Sequence, residues 1–382
     1  MGSLYVHIPF CVAKCSYCDF VSCPLATSQV DTTSYLDALK TEMELRQSQI
    51  RAVSPIESIY IGGGTPTCLP SDDLAGLAAC LTAFADAGEL REFTVEANPA
   101  TCDQDSLTVL RAAGVNRLSI GVQSLQPEEL KALGRVHDPQ QALKALADAR
   151  TAGFDNVNVD LIIGAPSQTL CSLERTIYQI IQMRPAHVSA YCLQLEDGTS
   201  LERAVAAGLM EVPDDDCVRD LYDKATQMLC DAGYTRYEVS NFALLGRECI
   251  HNMGYWTCGE YVGLGAAAHS HISSAGNWVR SWNTSDVFDY VRRLSVARQA
   301  TIGAEELGAY QEAHDCIMLG LRMADGVDLA SVERRFGVSV IEELMPRLRI
   351  REAQGIMAIE GTRVRILSHA ALISNIVLTD CI

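Results

Sequence analysis

The feature that most constrains this chain is an alternation running through its first half. Short apolar runs at residues 4–8, 58–61, 93–96, 117–121, 157–163 and 187–193 are separated by stretches of helical period at 35–48, 72–84, 104–112, 140–152 and 170–183. Strands interleaved with helices of this length pair in parallel through right-handed crossovers. The near-continuous apolar character of the runs predicts a sheet covered on both faces. The expected class is therefore α/β, with six strand–helix units filling residues 1–195. Residues 196–300, rich in Gly, Asn, Trp and Tyr, break that rhythm and read as an α+β extension over the sheet. Residues 301–382 read as a small helical or winged-helix-like C-terminal domain, in which helical stretches precede a β-like end at 355–367.

Charge and cysteine usage narrow the class further. Against 30 Lys and Arg stand 48 Asp and Glu, a net charge of −18. Phosphate neutralisation supplies most nucleic-acid affinity, so a chain this acidic is not expected to have nucleic acid as a partner or to be drawn to anionic lipid. The fifteen cysteines are an odd number in a long chain without a signal-like start. That pattern suits a reducing compartment, and a cytoplasmic location is expected. No apolar run approaches the about 18 residues of a membrane span, so no transmembrane segment is expected; peripheral membrane contact stays open.

Three of the cysteines stand out by spacing. Cys11, Cys15 and Cys18 follow the first strand directly, and Pro9 makes the segment a loop rather than a helix face. Thiolates gathered on one loop are the soft donors an iron–sulfur cluster requires, and three of them leave the fourth iron of a four-iron cluster unligated. A zinc site completed by Cys23 or His7 is the alternative.

Other polar groups punctuate the ends of later strands. The run Gly62-Gly63-Gly64-Thr65-Pro66 follows the second strand, where absent side chains let backbone approach a ligand. Glu96 ends the third strand, Gln123 ends the fourth, Asp160 lies in the fifth, and Arg135 sits in Leu133-Gly134-Arg135-Val136-His137. An ionisable group in an apolar strand needs a partner, and Arg135 could pair with Glu96 or Asp160 without any ligand. All of these fall on the carboxyl side of the strands, the side on which α/β barrels build their sites.

With these motifs in view, the chain resembles the coproporphyrinogen III oxidase-like branch of the radical S-adenosylmethionine (radical SAM) superfamily. The resemblance runs from YVHIPFC through GGGTP, EANP, GVQS, GRVHD and DLIIGAP to YEVSNFA, HNMGYW and GLGAAAHS. It implies a partial (β/α)6 TIM-like barrel. It also implies a [4Fe–4S] cluster on Cys11, Cys15 and Cys18, whose open iron binds S-adenosylmethionine and cleaves it to a 5′-deoxyadenosyl radical. Tyr5, Tyr17, Gly63, Gly64, Thr65, Glu96, Gln123, Arg135 and Asp160 are then the cofactor-facing residues, Glu96 toward the ribose.

Within that branch two features point away from porphyrinogen oxidation. The oxidases resembled carry a further cysteine after the motif and an N-terminal extension. Here Asp19-Phe20 follows Cys18, and the first strand begins within a few residues of the start. Together with His251-Asn252-Met253-Gly254-Tyr255-Trp256, these features resemble the haem-chaperone (HemW-like) branch. That resemblance implies haem as ligand, a haem-acceptor protein and an electron donor as partners, and His251 as a haem contact beside Tyr255 and Trp256. His269 and His271 are weaker candidates. An oxygen-independent coproporphyrinogen III oxidase is the alternative function.

Overall fold

The six runs fold as the strands Gly2–Ile8, Ile56–Gly63, Glu92–Ala97, Arg117–Gln123, Asn156–Ile163 and His187–Cys192 in the computed structural model, which describes residues 2–53, 55–86, 88–274 and 277–381. Each strand pairs in parallel with the next in chain order. Helices lie between them because the sequence starts them with side-chain caps: Asp103, Asp138 and Thr169 each accept from the backbone N–H three residues on, in reciprocal capping boxes.

A seventh parallel strand, Glu260–Leu264, pairs with Gly2–Ile8 from far along the chain. Rather than lying over the sheet, the 196–300 extension continues it at both edges. His269–Ser274, Asn277–Asn283 and then Thr301–Leu307 add antiparallel strands on one side; Asn241–Ala243 and Thr235–Arg236 add them on the other. Among the described residues, these twelve strands form one open sheet whose outermost members do not pair with each other. This is an α/β fold with a partial barrel, an α+β extension and a C-terminal unit of its own. That last unit packs Ala309–Gly320, Leu329–Phe336 and Ile341–Ala353 with the hairpin Met357–Glu360/Arg363–Ile366 around a separate core of Ile317, Leu329, Leu344, Leu348 and Val364.

The strands are apolar on one face only. Leu4, Val6 and Ile8, Ile59 and Ile61, Phe93 and Val95, and Leu118 and Ile120 pack in the main core. The alternate positions are polar and buried: Ser3, Ser58, Glu92, Thr94, Arg117, Ser119, Asn158, His187 and Ser189. These side chains fill the concave interior and must satisfy one another.

The lower end of that interior is closed by the short helix Ile250–Trp256. Its first N–H groups have no intrahelical partners, and the Glu92 carboxylate supplies them, accepting from Ile250 N at 2.9 Å, His251 N at 3.1 Å and Cys249 Sγ at 3.3 Å. Arg117, 2% exposed, stands with Nε 3.9 Å from the same carboxylate. Removing one partner of a buried pair strands the other charge. Glu92→Ala is therefore expected to destabilise the chain by about 3–5 kcal/mol, read as a lowered urea midpoint. A loss below about 1 kcal/mol would show that Glu92 does not hold the helix.

Candidate functional site

The cysteine loop is tied to the upper rim of the barrel at several points. On one side, Gly64 N donates to Ile8 O at 2.8 Å and Thr65 N to Phe10 O at 2.7 Å, so the glycine loop clasps the chain just before Cys11. The contact requires glycine: a Cβ on Gly64 would stand 2.6 Å from the Phe10 carbonyl oxygen. At the middle, Ser16 N donates to Leu133 O and Ser16 Oγ to Ala132 O, while Leu201 N donates to Ser16 O. Tyr17 then packs on a small apolar cluster of Leu133, Ile162 and Ala165.

These contacts place Cys11, Cys15 and Cys18 on a cavity of about 410 Å³ at the carboxyl ends of the strands. Tyr17, Gly63, Gly64, Thr65, Glu96, Gln123, Arg135 and Asp160 line the same cavity. Eleven dispersed sequence positions thus converge on one space. Gln123 reaches it through an irregularity: the register slips between Gly121 and Gln123, and Gln123 takes φ +66°, a left-handed conformation that re-aims its side chain. Tyr60, Ser119 and Tyr191 line the cavity as well, although sequence reading missed them. Their signal was present as polar residues at every second strand position.

Arg135 does not pair with either carboxylate. Its Nη1 donates to Cys15 Sγ at 3.2 Å and its Nη2 to Gly121 O at 2.7 Å, while its buried Nε has no hydrogen-bond partner among the described residues. Thr65 Oγ1 donates to Cys11 Sγ at 3.6 Å. Burial pushes the Cys11 and Cys18 thiols up, so each favours its neutral form until a metal or cation compensates. Three thiols, two of them receiving hydrogen bonds, form a donor set suited to an iron–sulfur cluster, and the unpaired Arg135 N–H suits an anionic ligand beside it. His7 has no free ring nitrogen for a zinc ion: Nε2 lies 2.7 Å from Val21 O and must donate, so Nδ1 accepts from Tyr5 OH at 3.0 Å. Among the described residues no group of three His, Cys, Asp or Glu side chains is arranged to hold a single metal ion.

The two carboxylates are both buried and differently held. Glu96 accepts from Tyr60 OH at 2.8 Å and Gly63 N at 3.1 Å, and so orders the glycine loop from beneath. Burial, reinforced by the charge of Asp160, pushes its carboxyl up to about 7. Asp160 accepts from Ser119 Oγ at 3.1 Å and Asn158 Nδ2 at 2.8 Å; burial raises it too.

Four sequence candidates, Tyr5, His251, His269 and His271, lie outside this cavity. Tyr5 faces a neighbouring cavity of about 380 Å³, which it lines with Phe20, Tyr255 and Tyr261. His251 lies on the plug helix, 2% exposed, with Nδ1 3.0 Å from Ser58 Oγ and Nε2 3.0 Å from Tyr255 OH. Its ring stacks on Tyr60 at 5.0 Å, and burial lowers its pKa to about 3, so it is neutral. His271 is also buried, with Nδ1 3.2 Å from Gly259 O and Nε2 2.9 Å from Glu312. His269 is exposed.

Comparison with known proteins bears on the class. The profile of the Radical SAM superfamily matches residues 5–179, and that of the HemN C-terminal domain matches residues 310–372. These define a radical SAM protein with a HemN-type C-terminal domain. The heme chaperone HemW of Mycobacterium tuberculosis (strain ATCC 25618 / H37Rv) is 35% identical over 375 residues, covering 98% of this chain and 93% of the relative. HemW of Escherichia coli (strain K12) is 40% identical over 277 residues, covering 71% and 70%. The solved structure of coproporphyrinogen III oxidase (HemN) from Escherichia coli superposes with a TM-score of 0.84 over 99% of this chain and 89% of that one, at 22% identity, which shows a shared fold. The chain belongs to the HemN-like family of radical SAM proteins, in its HemW branch.

The raised Glu96 value has a measurable consequence for the ligand-free chain. An acid raised from 4.5 to about 7 on folding contributes stability below its ordinary value and loses it as pH rises through about 7. Unfolding free energy should therefore fall between those pH values with a slope approaching about 1.4 kcal/mol per pH unit from this group. Urea titrations of Glu96→Gln should lack that component; an unchanged slope would place the proton elsewhere.

Proposed function

We propose that this chain is a haem chaperone: it binds haem and passes it to an acceptor protein, with a [4Fe–4S] cluster and S-adenosylmethionine as its cofactors. The observation that carries the reading is the match to HemW over 98% of the chain combined with Asp19-Phe20 after Cys18, where the oxidase pattern has a further cysteine. The likeness to the oxidase, at 22% identity, supports the fold alone.

In this reading Cys11, Cys15 and Cys18 hold the cluster, and Arg135 offsets thiolate charge at Cys15. Gly63 and Gly64 give backbone access to the amino end of the cofactor, Glu96 holds its ribose, and Gln123 and Asp160 complete the wall. The chemistry such a cluster supplies when bound is one-electron transfer to the sulfonium of S-adenosylmethionine. A separate electron donor, a haem-acceptor protein and a cytoplasmic setting complete the proposal. No helix among the described residues is long and apolar enough to cross a membrane.

Anaerobic titration of the reconstituted protein with haem tests this. A saturable Soret shift near one equivalent is expected, together with no oxidative decarboxylation of coproporphyrinogen III under reducing conditions. Cys15→Ala should lose the brown cluster chromophore. Absence of saturable haem binding would contradict the chaperone reading, and a colourless, zinc-loaded wild-type protein would contradict the cluster.

A further inference from the structure

The seam between the sheet extension and the C-terminal unit holds a pair of thiols that the cysteine-lined cavity does not use. Cys258 sits in the turn that ends the helix Ile250–Trp256, and Cys316 lies in the helix Ala309–Gly320, which packs against it. The two residues are 3% and 6% exposed, both are free thiols, and both belong to the core of the C-terminal unit. The Cys258 S–H faces two acceptors, Cys316 Sγ and the Glu312 carboxylate. Two thiols brought into contact from distant parts of the chain meet the geometric precondition of a disulfide.

The turn is held so that its sulfur keeps this aim. Cys258 takes φ +53°, a left-handed conformation uncommon for a residue with a side chain. Its N–H donates to Tyr255 O at 3.1 Å. Arg335 donates through Nη1 to Thr257 O at 2.7 Å and through Nη2 to Cys258 O at 2.5 Å. Arg335 is itself fixed over the rings of Trp278 and Phe336, at 5.4 and 4.9 Å. The surroundings then divide the two sulfurs. The hydrogen bond from Cys258 and the charge of Arg335 outweigh burial and lower the Cys316 thiol. The same hydrogen bond, together with burial, raises Cys258. Burial raises the Glu312 carboxyl, but His271 Nε2 at 2.9 Å and Arg280 Nη2 at 3.6 Å hold it below its ordinary value. One thiolate-favouring sulfur, one neutral neighbour and an ionised carboxylate beside that neighbour make an attacking and a resolving cysteine.

We propose that Cys258 and Cys316 form a reversible disulfide, with Cys316 as the sulfur first oxidised and hydrogen peroxide as the oxidant. The Cys316 thiolate attacks one peroxide oxygen, the O–O bond breaks, and the departing hydroxide leaves as water, giving a sulfenic acid. Cys258 passes its proton to Glu312 and attacks the Cys316 sulfur. The S–S bond forms, the S–O bond breaks, and the hydroxide takes up that proton and leaves as a second water. Two thiols and one peroxide thus give one disulfide and two waters; the sulfurs lose two electrons and the O–O bond gains them. Exposure below a tenth at both residues excludes a bulky disulfide as oxidant and admits a small one. The bond ties the turn after the plug helix covalently to the C-terminal unit. The proposal is independent of what the cysteine-lined cavity binds.

Peptide mapping of the full, cluster-loaded chain tests this, after brief exposure to hydrogen peroxide, acid quench and differential alkylation. A cross-linked Cys258–Cys316 peptide is expected in most chains, released by dithiothreitol. Glutathione disulfide should instead modify the exposed Cys80, Cys171, Cys217 and Cys230 and leave the pair reduced. Cys258→Ser keeps a donor beside Cys316 and should leave Cys316 as a sulfenic acid that dimedone traps on denaturation, whereas Cys316→Ala should leave Cys258 unlabelled. Cys230→Ser should cross-link as wild type does. The wild-type mapping decides the matter even where a variant fails to fold. A pair that stays reduced while the exposed thiols are oxidised overturns the proposal. Labelling of Cys258 in Cys316→Ala, without labelling of Cys316 in Cys258→Ser, overturns the assigned order. Stoichiometric zinc in wild type that Cys316→Ala loses would make the pair metal ligands and overturn the disulfide as well.

Discussion

Everything at the candidate site depends on a clasp between two backbones. Gly64 and Thr65 donate to the carbonyls of Ile8 and Phe10, fixing where the chain leaves the first strand and hence where Cys11 begins its loop. The clasp tolerates no side chain at Gly64, and it is braced from below by Glu96, which receives Gly63 N and Tyr60 OH. A loop closed by hydrogen bonds at both its start and its middle is ordered before any ligand arrives. Pre-ordering of this kind limits the entropy lost on binding.

Beneath the clasp, a polar interior replaces the apolar one that a buried parallel sheet usually has. Its members are paired in a continuous series: Asp160 with Ser119 and Asn158, Asn158 with His187, and His187 with Tyr237. Glu92 and Arg117 close the lower end by holding the plug helix. Such a network fixes its members in one arrangement, because each unsatisfied group in a low-dielectric interior would be costly. A second series runs from Ser58 through His251 to Tyr255.

Much of this was legible in the sequence. The six strands and five helices follow from periodicity, and the cysteine spacing together with the strand-end positions of Glu96, Gln123, Arg135 and Asp160 pointed to one cavity. What escaped is what depends on long-range contact. The parallel strand Glu260–Leu264 finds its partner at Gly2–Ile8, a pairing no local pattern announces. Arg135 was open to a carboxylate partner, but the fold offers it a sulfur and a carbonyl first. His251 drew attention by its motif, yet its helix turns it into a hydrogen-bonded stack. The near-continuous apolar reading of the strands overlooked an alternation, Ser58-x-Tyr60, Thr94-x-Glu96, Arg117-x-Ser119, Asn158-x-Asp160, that marks the polar interior.

The central claim is that one loop supplies three thiolates and leaves one iron of a cluster open to S-adenosylmethionine. Mössbauer spectroscopy of ⁵⁷Fe-reconstituted protein tests it most directly. The account predicts a [4Fe–4S] spectrum in which adding S-adenosylmethionine shifts the signal of a single iron site and leaves the other three unchanged. A spectrum indifferent to S-adenosylmethionine, or a cluster with all four irons equivalently ligated, would contradict it.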